Sequence, residues 1–266
     1  MINLQKISGL PMELSDDGHL KFIEPLKEVM PAVRKFTEMI PVLMDPAATP
    51  LPVLEDMYYM YRDVRLPEHE DLIRKNNLRF DITTLPAVML GREFNKTVGH
   101  YHPVIPSQSL AYPELYEVLA GEALFLIQKM DAELKKLITV MAIRAKAGDK
   151  VIYPPNFGHI IVNVGSGVLA TANWVSDKFT SLYEPVHDRH GMAYYVVKNN
   201  GKGYNFLPNP NYQDTPGIRG IEAFVDPDFG LSAKEPMYTS AIKDISKLEF
   251  LNNPQKYAAE LARLTA

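Results

Sequence analysis

A pair of histidines stands on either side of a single tyrosine in the stretch GREFNKTVGHYHP, residues 91–103. In a β-strand successive side chains point to opposite faces, so His100 and His102 would share one face of a sheet and Tyr101 would lie on the other. Two imidazoles held together in this way could bind a metal ion. By itself an HxH pattern is more often two polar residues on a half-exposed strand, so the residues that follow decide between the two interpretations.

A carboxylate and a third imidazole come later in the chain. Glu114 begins the apolar stretch ELYEVLAGEA, and His159 lies in GDKVIYPPNFGHIIVN, on what would be separate strands of a barrel. Because the chain contains no cysteine, any metal would have to be bound by nitrogen and oxygen ligands. Three imidazoles and one carboxylate suit a divalent ion such as Fe(II), Zn, Mn, Ni or Co, and leave one or two coordination positions for water or substrate.

The composition limits the classes of partner. The chain has 266 residues, of which 46% are hydrophobic, which is enough for one large domain with a sizeable core. Its 28 Lys and Arg residues against 32 Asp and Glu residues give a net charge of -4, which argues against nucleic-acid binding and against a basic membrane-binding patch. The N-terminal residues lack the pattern of a secretory signal, and no apolar stretch approaches the roughly 20 residues of a membrane span. We therefore expect a soluble cytoplasmic protein that binds a small molecule or another chain.

Three parts of the chain differ in pattern. Residues 22–40 predict a helix within an N-terminal extension of residues 1–50, with an apolar face made of Leu26, Met30, Val33, Phe36 and Ile40. The proline-rich stretch DPAATPLPVL, residues 45–54, predicts an extended connector with a domain boundary near residue 50. Residues 51–206 consist largely of short apolar runs separated by Gly, Pro and Asn, which is typical of an antiparallel sandwich or barrel. Residues 207–266 predict a C-terminal extension with a long ordered loop and a closing helix at 253–264.

The two histidine-containing stretches resemble the paired motifs of the cupin superfamily. The first motif is His-x-His followed by Glu and then, after six residues, Gly, which here is Gly121. The second motif is Gly, five residues, Pro, and then His followed by Asn, which here correspond to Gly148, Pro154, His159 and Asn163. This resemblance implies an all-β cupin barrel, that is, a double-stranded β-helix or jelly roll, with helical N- and C-terminal extensions.

Two positions depart from the usual cupin motifs. Asn156 stands where cupins usually have Gly, and Asn is the best substitute where a left-handed turn is needed. Eleven residues separate His102 from Glu114, which is more than in most cupins, so Glu117 is a second candidate ligand. The spacing to Gly121 favours Glu114.

A narrower resemblance covers about residues 58–202. The segments TT (83–84), NKTVGHYH, ELYEVLAGEA, GDKVIYPPNFGH and LYEPVHDRHGMAYYVVKNNGK are similar to those of the cupin-type glucose-6-phosphate isomerases of archaea and some bacteria. The resemblance implies one divalent metal ion per chain, with Fe(II) favoured, bound by His100, His102, Glu114 and His159. It also implies a homodimer, and reversible isomerisation of glucose 6-phosphate and fructose 6-phosphate with Glu114 as the catalytic residue.

The same resemblance implies a set of residues that bind the phosphorylated sugar. The phosphate would contact Thr84, Thr97 and the backbone of Gly99, and Tyr58 and Tyr183 would close the pocket. Strand alternation alone would put Thr97 and Gly99 on the face opposite His100. The strand must therefore bulge near Gly99, or Thr97 must lie at the rim of the barrel.

Other functions are compatible with the same motifs. A metal-binding cupin with these ligands could act on another phosphosugar such as mannose 6-phosphate, or it could be an oxygenase. A non-catalytic protein that binds a sugar phosphate is a third alternative. Assays of aldose-ketose exchange, oxygen consumption and ligand binding would discriminate among the three.

Overall fold

Two β-sheets form the centre of the molecule, which is a computed structural model that describes residues 1–47, 55–201, 203–223, 229, 231–232 and 234–265. In chain order the strands are β1 (Ile2–Asn3), β2 (Met12–Leu14), β3 (Leu20–Phe22), β4 (Ala32–Lys35), β5 (Asp56–Tyr61), β6 (Leu78–Leu85), β7 (Met89–Leu90), β8 (Glu93–Phe94), β9 (Glu114–Ala120), β10 (Glu122–Met130), β11 (Leu137–Lys146), β12 (Lys150–Tyr153), β13 (Phe157–Asn163), β14 (Leu169–Ser176), β15 (Tyr194–Lys198), β16 (Tyr204–Pro208) and β17 (Ile218–Glu222). The α-helices are α1 (Gln5–Ser8), α2 (Phe36–Met39), α3 (Glu70–Lys75), α4 (Glu184–His187), α5 (Met237–Lys243) and α6 (Ala258–Arg263). Turns of 3-10 helix cover Ile40–Val42, Pro67–His69, Ile245–Leu251 and Pro254–Tyr257.

The first barrel sheet has the strand order β12-β9-β14-β6-β5-β4, and the second has the order β13-β10-β11-β17. Neighbouring strands in these sheets are antiparallel, except that β17 runs parallel to β11. Smaller sheets are formed by β1-β2-β3 and by β16-β15-β8-β7. The predicted all-β barrel is therefore confirmed, and the helices that accompany it are short.

Apolar side chains fill two layers, one on each face of the first barrel sheet. Val118 and Phe125 belong to the layer between the two sheets. On the other face Phe80 and Trp174 pack against Tyr238 of α5, with 5.7 Å between the ring centroids of Trp174 and Tyr238. Because this sheet is covered on both faces, every residue of β9 and β14 is buried, which explains their nearly continuous apolar sequences.

The predicted helix over residues 22–40 is wrong. Its N-terminal part leads into strand β4, which pairs with β5, and only Phe36–Met39 is α-helical. Prolines at 25 and 31 cannot donate the backbone hydrogen bonds of a helix interior. The apolar spacing arose by chance from separate elements: Val33 packs on the outer layer, Phe36 belongs to the inner layer, and Met30 is 80% exposed.

The flanks of the barrel are joined to it by strand pairing. Strand β4 extends the first barrel sheet, and β17, from the C-terminal part, extends the second. The predicted closing helix at 253–264 is present as a 3-10 turn at Pro254–Tyr257 followed by α6. The predicted connector and boundary near residue 50 lie mostly outside the described residues, so the division at 1–50, 51–206 and 207–266 stays a prediction. Within the described residues no helix is both long and apolar enough to cross a membrane.

A buried ion pair on the outer face of the barrel is hydrogen-bonded to the C-terminal part. Glu117 lies 2.8 Å from Lys150, and the side chains of both residues are 2% exposed. The other carboxylate oxygen of Glu117 accepts a hydrogen bond of 2.9 Å from the backbone N–H of Met237, at the start of α5. Glu117 is therefore a structural residue that faces away from the space between the sheets.

We expect Glu117→Ala to lower the free energy of unfolding by about 3–5 kcal/mol, because it leaves Lys150 buried without its partner. Urea unfolding measures the loss. Glu122→Ala is the matched control, since Glu122 is 31% exposed and pairs with Arg144, which is 67% exposed. The control should lose less than about 1 kcal/mol. Equal losses in the two variants would contradict the role given to the Glu117–Lys150 pair.

Candidate metal and substrate site

Four side chains of metal-binding type meet between the two sheets. His100, His102, Glu114 and His159 each offer a ligand atom, and these atoms lie within 4.8 Å of one another. The two Nε2 atoms of His100 and His102 are 3.2 Å apart. Oε2 of Glu114 is 3.4 Å from His102 Nε2 and 3.3 Å from His159 Nε2. The structure thus brings together the four residues that the sequence suggested as metal ligands, while Glu117 lies elsewhere.

Strand pairing fixes the positions of these side chains. Glu114 is the first residue of β9, and His159 lies in β13. His100 pairs directly with His159: each backbone N–H donates to the other residue's carbonyl, at 3.2 and 3.0 Å. Two ligands from segments far apart in sequence are thereby held across one pair of backbone hydrogen bonds.

A bulge at Gly99 allows Thr97 and the histidines to face the same space. Lys96 lies opposite Val162 and His100 opposite His159, so this segment advances four residues while β13 advances three. The extra residue is accommodated at Gly99, whose φ of 88° is in the left-handed region. A side chain here would also overlap Ile160. The bulge expected from the sequence is therefore present.

His102 is oriented by the insertion that lengthens the first motif. Its Nδ1 lies 2.8 Å from the backbone carbonyl of Tyr112, within residues 103–113. A carbonyl can only accept, so Nδ1 carries the proton and the lone pair of Nε2 points at the cluster. Phe179 covers the assembly, with its ring centroid 4.4 Å from that of His102 and 4.7 Å from that of Tyr112. The long insertion contributes to the site without displacing Glu114.

Burial sets the charges of the cluster. It lowers the pKa of His100 well below its usual value and lowers the pKa of His159 to about 4. For Glu114 burial raises the pKa, but the close approach of His102 and His159 outweighs burial and holds the pKa below its usual range. Asn173 also donates a hydrogen bond of 2.6 Å to Oε1 of Glu114. Near pH 7 the cluster thus holds neutral imidazoles at His100 and His159 and an ionised carboxylate, which is the form that binds metals.

Three atoms of the cluster have no hydrogen-bond partner among the described residues, namely Glu114 Oε2 and both ring nitrogens of His159. Glu114 Oε2 and His159 Nε2 are fully buried and 3.3 Å apart. A buried polar atom without a partner is costly, so such atoms usually mark an unfilled ligand position. The lone pairs of Glu114 Oε2 and His159 Nε2 would be satisfied by one cation between them. This donor set fits a single divalent ion that accepts nitrogen and oxygen ligands.

The cluster lies in a cavity of about 310 Å³, a volume near the lower end for small-molecule sites. Of the predicted substrate residues, the structure places Tyr58, Thr97, Gly99 and Tyr183 in the cavity wall. The ring of Tyr183 is 5.4 Å from that of His100, measured between centroids. These residues and Thr83 form what we call the hydroxyl end of the cavity.

Thr84 is not brought to the cavity. Its hydroxyl donates to the carbonyl of Gly18, and the residue is fully buried on the outer face of the sheet. Thr83, one position earlier, lines the cavity instead. Alternation along β6 could have shown this, since Thr84 shares its face with the apolar Phe80 and Ile82.

An ionic group farther along the cavity wall was not predicted. Asp81, whose side chain is 5% exposed, accepts hydrogen bonds from Arg62 at 3.1 Å and from Arg79 at 2.9 Å. The three side chains line the cavity and form what we call the ionic end. Strand alternation could have identified this group, because Arg79, Asp81 and Thr83 occupy every second position of β6 and therefore share one face. His187 and His190 do not line the cavity.

Comparison with known proteins gives the family. The family model of glucose-6-phosphate isomerase (GPI) matches residues 33–213. The chain belongs to this family. The glucose-6-phosphate isomerase of Pyrococcus furiosus is 28% identical over 210 residues, which cover 76% of this chain and 97% of the relative. The resemblance to the cupin-type isomerases is therefore confirmed.

Matches among solved structures are more distant. A mutant of the oxalate decarboxylase OxdC of Bacillus subtilis matches with a TM-score of 0.35 and 16% identity, over 50% of this chain and 29% of that chain. Recombinant oxalate oxidase in complex with glycolate matches with a TM-score of 0.30 and 18% identity, over 41% of this chain and 47% of that chain. The matched regions thus span less than half of each of these two solved chains.

Removal of one predicted ligand should abolish tight metal binding. Changes outside the ligand set typically weaken metal affinity about 10–100-fold, so His159→Ala and Glu114→Gln, which alter ligands, should weaken it more. Elemental analysis after loading with Fe(II) or Zn and dialysis measures the effect. His190→Ala is the matched control, because His190 is exposed and outside the cavity. Full metal content in His159→Ala would rule out the proposed site.

Proposed function

We propose that the protein is a metal-dependent isomerase that interconverts glucose 6-phosphate and fructose 6-phosphate. One divalent metal ion per chain, with Fe(II) favoured, would be bound by His100, His102, Glu114 and His159. The observation that carries the proposal is the convergence of these four side chains in a cavity whose wall also holds hydroxyl groups, in a chain of the glucose-6-phosphate isomerase family. Cytoplasmic location and a homodimer stay predictions.

The reaction moves hydrogen between C2 and C1 of the sugar, while negative charge develops on the two neighbouring oxygens. A divalent ion at the cluster would supply Lewis-acid stabilisation of that charge. The open side of the cluster lies in the cavity, so the C1 and C2 oxygens can approach it there. The task of the remaining residues is to fix the sugar in this orientation.

The phosphate is placed at the hydroxyl end of the cavity. Thr83 and Thr97 offer hydroxyl groups there, and the bulge exposes the backbone at Gly99. The ionic end suits the phosphate less well, because the buried carboxylate of Asp81 partly cancels the charges of Arg62 and Arg79 and would repel a dianion. Binding the phosphate at the hydroxyl end leaves the ionic end for sugar hydroxyl groups.

Glu114 is our candidate for the catalytic base of an enediol route. Its Oε2 faces the cluster without a hydrogen-bond partner, and Asn173 holds its other oxygen in place. Its pKa below the usual range keeps the carboxylate ionised but makes it a weak base within the cluster, so an enediol route would require Glu114 to move off the metal. An alternative route, in which hydride moves directly from C2 to C1, would leave Glu114 as a ligand alone.

The proposal predicts conversion of fructose 6-phosphate to glucose 6-phosphate that disappears on chelation and returns on reloading with metal. A coupled assay of glucose 6-phosphate formation measures this, with mannose 6-phosphate formation and oxygen consumption followed in the same preparation. Bound metal with oxygen consumption and no isomerisation would replace the isomerase with an oxygenase. Bound metal with neither activity would leave a binding protein.

The two neighbouring threonines provide a test of the substrate orientation. Thr83→Val should raise the KM for fructose 6-phosphate roughly tenfold, because a hydrogen bond to a charged group contributes about 1.5 kcal/mol or more. Thr84→Val should leave KM unchanged and reduce stability by about 1 kcal/mol through loss of the bond to Gly18. Steady-state kinetics and thermal unfolding of both variants distinguish the two roles. The reverse pattern of KM values would contradict the placement of the phosphate.

A further inference from the structure

A positive charge lies directly behind the hydroxyl end of the cavity. Arg34 is in β4, opposite Tyr58 of β5. Its guanidinium carbon is 5.8 Å from the centroid of the Tyr58 ring and 5.7 Å from that of Tyr183. Both tyrosines line the cavity, and the side chain of Arg34 is 19% exposed. The charge is thus held between two rings and is only partly hydrated.

Arg34 also determines what the Tyr58 hydroxyl can do. Arg34 Nε donates to the Tyr58 oxygen at 3.1 Å, and the backbone N–H of Val98 donates to the same oxygen at 3.3 Å. A phenol oxygen has two acceptor sites and one hydrogen. Since both acceptor sites are occupied, the hydroxyl is left with its hydrogen to donate. Burial raises the pKa of Tyr58, so this hydrogen is retained at neutral pH.

The hydrogen bond from Val98 connects the Tyr58 hydroxyl to the bulged segment. Val98 lies between Thr97 and Gly99, which both line the cavity. The carboxylate that balances Arg34 is on Glu38, which lies 2.8 Å from Nη1 and is 44% exposed. An exposed counterion is well hydrated and neutralises Arg34 only in part. The positive charge therefore remains available to an anion in the cavity.

We propose that Arg34 is a positioning residue for phosphate recognition: it makes Tyr58 an obligatory hydrogen-bond donor, and its charge strengthens the bond that this hydroxyl donates to the phosphate. The inference rests on the proposed function, since it assigns the phosphate of the sugar to this end. It also gives a purpose to strand β4. The N-terminal part of the chain thus contributes to the recognition of the substrate, because the side chain of Arg34 acts through Tyr58.

Kinetic constants separate this role from a purely structural one. Arg34→Gln should raise the KM for fructose 6-phosphate roughly ten- to a hundredfold, because hydrogen bonds and charge that act on the phosphate are lost. The kcat should change less than about threefold, since the metal cluster is untouched. Arg34→Lys keeps the charge without the planar fork and should recover part of the loss. Arg74→Gln is the matched control, because Arg74 and Glu70 form a similar i,i+4 pair on an exposed helix.

A double-mutant cycle tests whether Arg34 acts through Tyr58. Tyr58→Phe removes the donor hydrogen, so the KM of the double variant should be no more than about twice that of the worse single variant. Multiplicative effects on KM would show that the two residues act independently and would overturn the proposal.

Binding of inorganic phosphate tests the inference without any turnover. In a ³¹P NMR titration of the full-length protein, Arg34→Gln should weaken phosphate binding roughly tenfold or more, and Arg74→Gln should not. Phosphate affinity within twofold of the parent in Arg34→Gln would overturn the inference, as would a parent protein that does not bind phosphate. A parent that binds phosphate in the expected manner and lacks isomerase activity would refute the proposed function and support the inference. If Arg34→Gln does not fold, Arg34→Lys is the test variant. Phosphate affinity and KM equal to those of the parent in Arg34→Lys would then contradict the proposal.

Discussion

Burial of three imidazoles and one carboxylate at a single point is the constraint on which the rest of the structure depends. Polar groups removed from water have to be compensated, and the protein itself leaves Glu114 Oε2 and His159 Nε2 without hydrogen-bond partners among the described residues. A cation would satisfy these atoms together. Metal binding and the folding of this region should therefore be coupled, since the four ligands come from segments that only the folded barrel brings together.

Three of the four ligands are each oriented by a different feature of the surrounding chain. The bulge at Gly99 orients His100 and exposes Thr97, and the carbonyl of Tyr112 selects the tautomer of His102. Asn173 fixes Glu114. The cavity wall that results contains the hydroxyl end, the ionic end and the cluster. This asymmetry is what would give a phosphorylated sugar one orientation.

Spacing in the sequence predicted the cluster because the cupin motifs have characteristic intervals between their ligands and the turn residues that mark the strand ends. Gly121 and Asn156 have the positive φ expected of such turns. Residues whose role depends on the face of the strand that they occupy were harder to assign. Thr83 and Thr84 differ only in the face to which they point, and the apolar Phe80 and Ile82 decide that face.

Long-range pairing could not be predicted from local pattern. Arg34 was assigned to a helix because apolar residues happened to recur every three or four positions, whereas pairing of β4 with β5 places it opposite Tyr58. The ion pair between Lys150 and Glu117 was equally hard to predict, since nothing in the sequence of either segment shows that the two side chains meet. Periodicity describes which face a residue occupies within an element, but not which element it will pair with.

Anomalous diffraction from crystals of the metal-loaded protein with bound fructose 6-phosphate would test the account most directly. We predict one metal peak within about 2.0–2.2 Å of His100, His102, Glu114 and His159, with the phosphate beside Thr83, Thr97 and the Tyr58 hydroxyl. A metal bound by other residues would contradict the cluster as the centre of the site. A phosphate beside Arg62 and Arg79 would contradict the orientation of the substrate.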